Sequence, residues 1–234
     1  MKPIAIFTTR ALTALLSLGI TCPSFADPDP YTPVGTLLVN PVAVQTGIKP
    51  NLDWDIEYPE IITDLVIINP DSSVVPKKTL RMDVRVVGAA WSNGQSYFDV
   101  DSYVRVSGQW TQLFYGKQYQ INASSIRYST VLNPGTRVDF AGRGNQGGNS
   151  WSSWMMTTTT NHNVKALTNG SSIPDYVPAY NQGNIAGFLT QFVDSTGRII
   201  LGPYDIIYLF DFNPYGTSGF DLQDLVMVVT FTEV

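Results

Sequence analysis

The chain has 234 residues, of which 44% are hydrophobic and only 14% charged, with a formal net charge of -5. That sign is wrong for a nucleic-acid binder, which needs a basic face against the phosphates. The single cysteine, Cys22, leaves no basis for an intrachain disulfide framework or a Cys-based metal centre.

The first 26 residues read as a secretory signal peptide. Lys2 and Arg10 give the positive start, Ala11 to Ile20 is an apolar run, and Ser24-Phe25-Ala26 is a small-x-small cleavage site before Asp27. The run is too short to span a bilayer. Acylation at Cys22 is disfavoured, because Gly19-Ile20-Thr21 lacks the Leu and small-residue pattern of a lipoprotein site. Removing the two basic residues moves the net charge to -7 and leaves 208 residues, enough for one large β-domain or a small module leading into a larger one. The expected product is exported, to the extracellular space, cell surface or periplasm, with no transmembrane segment in the mature chain.

After a Pro-rich stretch, Leu52-Asp53-Trp54-Asp55-Ile56-Glu57 alternates strictly, so Leu52, Trp54 and Ile56 should face a core and the three acids solvent. The acidic row has about 7 Å between same-face side chains, since each residue rises about 3.3 Å. It is read either as the wet face of a strand, paired with Arg81 and Arg85, or as a carboxylate pair or cation site. Thr79 to Val87 alternates too, with Leu80, Met82, Val84 and Val86 inward. The turn-rich 69–78 segment between them is the expected boundary. It divides the mature chain into residues 27–76, N-terminal strands or a small immunoglobulin-like module, and 77–234, the main sandwich.

Asn93-Gly94 and Ser107-Gly108 predict hairpin turns joining 84–91, 96–106 and 109–115 into a meander. Asn133-Pro134-Gly135 predicts a further turn, and the Gly/Asn/Ser-rich 142–153 stretch a loop. Ile185, Phe188, Leu189 and Phe192 fall at helical spacing behind Asn184, which predicts one short packed helix. Two final β-runs, 205–212 and 220–231, flank an Asn-Pro-Tyr-Gly loop. Together these elements predict an all-β fold, an antiparallel β-sandwich of jelly-roll or immunoglobulin-like type.

Three groups of residues carry candidate chemistry. His162 sits among polar neighbours with no Gly-x-Ser-x-Gly elbow and no second histidine in the chain, so it reads as a loop histidine rather than a catalytic one. Trp110, Tyr115, Trp151 and Trp154 are interleaved with Gln, Asn and Ser. Such residues stack a sugar ring and bond its hydroxyls, but they equally build β-cores. Trp110, Trp151 and Trp154 are the candidate ligand-binding set. At the C-terminus, Asp211, Asn213, Asp221 and Asp224 should converge when the last two strands pair; hard oxygen ligands of this kind suit Ca²⁺, and the same aspartates can instead cap the loop through its backbone N–H groups.

The terminal segment Leu209-Phe210-Asp211-Phe212 followed by Gly219-Phe220-Asp221-Leu222-Gln223-Asp224-Leu225-Val226 resembles the closing hairpin of a bacterial extracellular domain of unknown function found in secreted and surface-attached, adhesin-type proteins. The likeness covers about twenty-five residues, and Gly219 stands where that family tends to have a further acid. The chain as a whole is also similar to uncharacterised exported β-proteins with a Leu-x-Trp strand near the start. The resemblance implies surface attachment and brings no particular activity with it. The expected role is a non-catalytic binding or matrix protein with a glycan or surface component as partner and calcium as its stabilising ion. The alternatives are a carbohydrate-active hydrolase using two carboxylates and a subunit of a surface polymer.

Overall fold

In a computed structural model, residues 34–39, 52–57, 61–148, 150–159, 161–172, 174 and 192–234 are described. They form an all-β sandwich of antiparallel strands, as the alternation predicts. The predicted signal segment lies outside the described residues, as does the predicted helix apart from Phe192, which is partly buried against Ile199 and its neighbours. No helix among the described residues is long and apolar enough to cross a membrane.

A two-stranded ribbon, β1 (Val34–Val39) and β2 (Leu52–Glu57), pairs antiparallel with Leu37 opposite Trp54 and Gly35 opposite Ile56. Ile56 was expected to face a core, yet it is 48% exposed, and Leu37 on the same face is 47% exposed. The side chains of Leu52, Trp54 and the acidic row lie outside the described set. The strand of Arg81 and Arg85 belongs to another sheet, so β2 has no cross-strand register with it.

A single helical turn, α1 (Ile62–Leu65), leads into β3 (Val66–Ile68) and β4 (Val74–Pro76). Then come β5 (Leu80–Gly88), β6 (Val100–Val106), β7 (Gln109–Gly116), β8 (Ile126–Leu132), β9 (Val138–Gly144) and β10 (Met155–Met156). The chain closes with β11 (Val164–Leu167), β12 (Asp205–Phe210) and β13 (Leu225–Glu233). One sheet runs β3-β4-β9-β6-β7, with β10 added on β9; the other runs β11-β12-β13-β5-β8. Residues 61–76, assigned from sequence to the N-terminal unit, are therefore part of the sandwich.

The expected meander fails at its first strand. β6 and β7 form a hairpin through Ser107 and Gly108, both at positive φ (51° and 84°), as a two-residue turn of the mirror type requires. β5, however, pairs with β13 and β8 in the opposite sheet. The Asn93-Gly94 turn exists, but it closes only an isolated bridge between Ser92 and Tyr97 on the chain's way from one sheet to the other. Asn133-Pro134-Gly135 likewise turns the chain between sheets, from β8 to β9. The expected 142–153 loop begins only at Asn145, since Gly142 to Gly144 still belong to β9.

Leu80, Met82, Val84 and Val86 all face the core with no measurable exposure, as predicted, and meet Val104, Phe140, Tyr208, Phe210 and Phe231 between the sheets. Val226 is buried too, but on the far face of β13, in a second cluster with Ile199, Leu201, Ile207 and Leu222. β12 and β13 are thus covered on both faces, which explains their near-continuous apolar sequences.

β9 is closely approached by the core. Its inward positions taper from Val138 and Phe140 to Gly142 and Gly144; the Phe140 ring lies 4.5 Å from Tyr208, while the glycines make room for Leu225, Phe212 and Trp91. A Cβ at Gly142 would fall 2.7 Å from Leu225 Cδ2, and one at Gly144 would strike the rigid Trp91 indole. Overpacking of this kind costs roughly 1–3 kcal/mol. Gly144→Ala should therefore lower the unfolding free energy measured by urea titration by that amount, whereas Ser102→Ala, at an equally inward position, adds no bulk and should not overpack.

Candidate functional site

Alternation in β6, β7 and β9 sends half of their residues to the outer face of the first sheet, and there the composition departs from an ordinary wet surface. The outward residues of β6 are Asp101, Tyr103 and Arg105. Those of β7 are Trp110, Gln112 and Tyr115, and those of β9 are Asp139, Ala141 and Arg143. The register stacks them in cross-strand rows: Tyr115, Asp101 and Arg143; Gln112, Tyr103, Ala141 and, on β10, Met156; Trp110, Arg105 and Asp139. A bulge at Ser102/Tyr103 sets the β7 side of this register.

Ala141, the smallest side chain in the middle row, leaves a hollow. Tyr103, Trp110, Trp154 and Met156 wall it, making a largely apolar cavity of about 280 Å³. Trp110 and Trp154 are 39% and 37% exposed, and the Tyr103 and Trp154 rings meet edge to face at 5.5 Å. Two of the three tryptophans singled out in the sequence therefore share one cavity.

The third, Trp151, is joined to Trp154 through a cation. The Arg143 guanidinium lies 4.2 Å from both indole centroids, and Tyr115 flanks Trp151 at 6.3 Å. Arg143 NH2 also donates to Asp101 Oδ2 at 3.3 Å, while its buried Nε has no hydrogen-bond partner among the described residues. Two aromatic faces compensate for that; each such contact is worth about 0.5–2 kcal/mol. The loop bearing the tryptophans is tied down by its own bonds: Gly144 N–H donates to Ser152 Oγ, Ser152 N–H to the Gly144 carbonyl, and Gly147 N–H to Asn145 Oδ1.

Polar groups frame the cavity. Gln112 Nε2 donates to Asp101 Oδ1 at 2.8 Å and to the Tyr103 hydroxyl at 3.2 Å. At the other end Arg105 stacks on Trp110 at 5.2 Å and donates through Nε and NH2 to Asp139 Oδ2. Arg137 holds the second oxygen of Asp139 and reaches Asp71, while Thr157 Oγ1 also donates to Asp139. Burial pushes the Asp71 carboxyl up, but hydrogen bonds from Ser73 and Arg137 outweigh it and hold Asp71 below the usual carboxylate range. Tyr103, Arg105, Asp101, Gln112, Ala141 and Arg143 were not singled out from sequence. The available signal was the Asp-x-Tyr-x-Arg alternation in β6 beside Trp-x-Gln in β7.

The second candidate cluster also assembles. β12 and β13 pair antiparallel up to Phe210 opposite Leu225, which brings Asp211, Asn213, Asp221 and Asp224 to one end of the sheet, as expected. All three aspartates are buried. Asp211 Oδ2 accepts the N–H groups of Asp221 (2.5 Å) and Leu222 (2.8 Å), and its Oδ1 accepts that of Asn213. Asp224 Oδ2 accepts Phe212 N–H at 2.6 Å, and Asp221 accepts from Gln223. Asn213 Nδ2 ties the loop to the Gly219 carbonyl. Leu222 is held at φ 58°, a left-handed conformation costing a leucine about 1–2 kcal/mol. These carboxylates act as loop caps. N–H groups already donate to both oxygens of Asp211 and of Asp221 and to Asp224 Oδ2, so a calcium ion would compete with them there; among the described residues no group of three His, Cys, Asp or Glu is arranged to hold a metal. His162 is exposed and stacks on Tyr215 at 3.9 Å, away from the cavity's lining.

Burial, joined by the negative charge of Asp211, raises the Asp224 carboxyl well above the usual range. Asp211 is raised as well, burial outweighing its three backbone donors. A proton shared between the two relieves their repulsion. Raised folded values mean that the folded state binds protons more tightly than the unfolded one. The contribution of the pair to stability is therefore fully present below the unfolded value of about 3.9 and declines as pH rises through the folded values. Asp224→Asn, which can still accept from Phe212 while donating to Asp211, should keep the fold and flatten this part of the stability–pH profile in urea titrations. Asp211→Asn leaves at least one buried N–H without an acceptor and should cost about 1–3 kcal/mol.

No family model, curated protein or solved structure matches the chain. The likeness of the terminal hairpin to the adhesin-type extracellular domain thus rests on those residues alone.

Proposed function

We propose that this is an exported, non-catalytic binding protein of the cell surface or extracellular matrix that holds a glycan on the outer face of the β3-β4-β9-β6-β7 sheet. The observation that carries this reading is the cavity between Tyr103, Trp110 and Trp154, floored by Ala141 and edged by hydrogen-bonding groups. Exposed rings supply flat apolar surface for a pyranose face, and the Gln112 amide, the Tyr103 hydroxyl and Arg143 supply polar contacts for its hydroxyls. The salt-bridged arginines hold the rings in place before a ligand arrives, which reduces the ordering cost of binding.

Hydrolysis by two carboxylates finds less support. Asp101 and Asp139 are the acids of this face, but Asp139 lies opposite Arg105, four residues along β6 from Asp101. That places them about 13 Å apart along the strand at about 3.3 Å per residue, beyond the roughly 5–9.5 Å that glycosidases use. Both also have guanidinium partners. The surface-polymer reading draws on the β1–β2 ribbon, with its exposed Leu37 and Ile56.

A glycan-array screen followed by titration calorimetry tests the binding reading. Trp154→Ala and Trp110→Ala should each weaken binding at least tenfold, about 1.4 kcal/mol, with an unchanged melting temperature for Trp110→Ala. Full affinity in both variants, or no glycan bound by the wild type, refutes it. Export is checked by mass spectrometry of secreted material, with Asp27 the expected N-terminus.

A further inference from the structure

Beside the aromatic cavity lies a second hollow of about 360 Å³, lined by Arg105, Ser107, Gly108, Thr136, Arg137 and Asp139. The two adjoin through one contact, since Trp110 walls the first, Arg105 walls the second, and the guanidinium rests over the indole. Along β6, Tyr103 and Arg105 are about 7 Å apart at about 3.3 Å per residue, a step that suits adjacent parts of one extended ligand.

The chemistry of the two hollows differs. In the second, the acids lie beneath the bases: the Asp139 side chain is 1% exposed and Asp71 15%, whereas Arg105 is 30% and Arg137 42% exposed. A ligand entering it meets guanidinium edges rather than carboxylates. Arg105 spends its Nε and NH2 on Asp139, and Arg137 its Nε and NH2 on Asp139, Asp71 and the Thr157 carbonyl. NH1 of each makes no hydrogen bond to the described residues. The Ser107 and Thr136 hydroxyls at the rim are likewise uncommitted among them. The hollow therefore offers donors from four side chains, and the carboxylate in its lining, Asp139, is buried beneath them.

Resting on the glycan reading above, we propose that the ligand is an acidic glycan. One ring stacks between Trp110, Tyr103 and Trp154, and an anionic substituent, carboxylate or sulfate, sits against Arg105 and Arg137. The buried Asp139 holds both guanidiniums in position, and the forked, planar geometry of arginine suits either anion. With a net charge of -5 the chain as a whole does not attract such a ligand at long range, so selectivity comes from this local contact.

The test is calorimetry of the full chain against a panel of uronate-containing oligosaccharides, each paired with its methyl ester, and sulfated oligosaccharides, each paired with its desulfated form. At least one acidic member should bind tenfold or more tighter than its neutral counterpart; which pair shows the effect separates carboxylate from sulfate. Arg105→Gln should abolish the preference by weakening the acidic member at least tenfold more than its neutral partner, whose own smaller loss reads the ring-holding role of Arg105 on Trp110. Thr136→Val, which leaves the ion pairs intact, should reduce the preference two- to fivefold. Equal binding of acidic and neutral partners, or a preference undiminished in both variants, overturns the inference and leaves the glycan reading standing. Failure of every glycan, neutral ones included, overturns both.

Discussion

The rigid alternation of β9 couples the core to the outer face. Its inward residues Val138, Phe140, Gly142 and Gly144 set how closely the two sheets approach, and its outward residues Asp139, Ala141 and Arg143 are the centre of the cavity face. A side-chain period of two means neither set can shift without the other. The close contacts of Gly142 with Leu225 and Phe212, and of Gly144 with Trp91, therefore fix the register on which the cross-strand rows of Asp101 with Arg143 and Arg105 with Asp139 depend.

The two sheets divide the labour. In the second, the outer faces of β12 and β13 are covered by Ile199, Leu201, Phe220 and Leu222, so both of these strands are buried throughout their middle. In the first, Trp154 and Trp151 lean on Tyr103 of β6 and Tyr115 of β7, yet aromatic rings around the cavity remain partly exposed. Large exposed rings cost solvation, and the structure limits that cost by crowding them against one another and against guanidiniums.

Much of the sandwich was legible, and the reasons differ by element. The Leu80–Val86 alternation reads directly, since burial on one face is a local property of the sequence. The β6–β7 hairpin reads from Ser107-Gly108, because a two-residue turn needs positive φ. The choice of sheet for β5 did not read: Asn93-Gly94 specifies a turn, whereas pairing with β13, whose partners lie 138 (Gly88 to Val226) to 153 (Leu80 to Glu233) residues away in sequence, depends on which apolar faces bury each other. Trp110 and Trp154 were picked for their type, but their shared cavity depends on Ala141 across the strand, an unremarkable residue in one dimension. The convergence of Asp211, Asp221 and Asp224 was visible from the hairpin. What their oxygens meet was not, because the donors are backbone groups whose direction depends on the left-handed turn at Leu222.

The acids of this protein show how one residue type takes opposite roles according to what surrounds it. At the terminal loop, buried aspartates receive backbone N–H donors, and burial drives one of them to keep its proton. On the cavity face, Asp139 is as buried, yet two guanidiniums and a hydroxyl surround it. In the first case a charge is removed and a loop is closed. In the second the charge is spent beneath the surface on holding two arginines side by side, which leaves their outer edges to solvent. Two guanidiniums this close would repel without the carboxylate between them, so the buried acid is the reason a cationic hollow can persist beside an aromatic one on a protein of net negative charge.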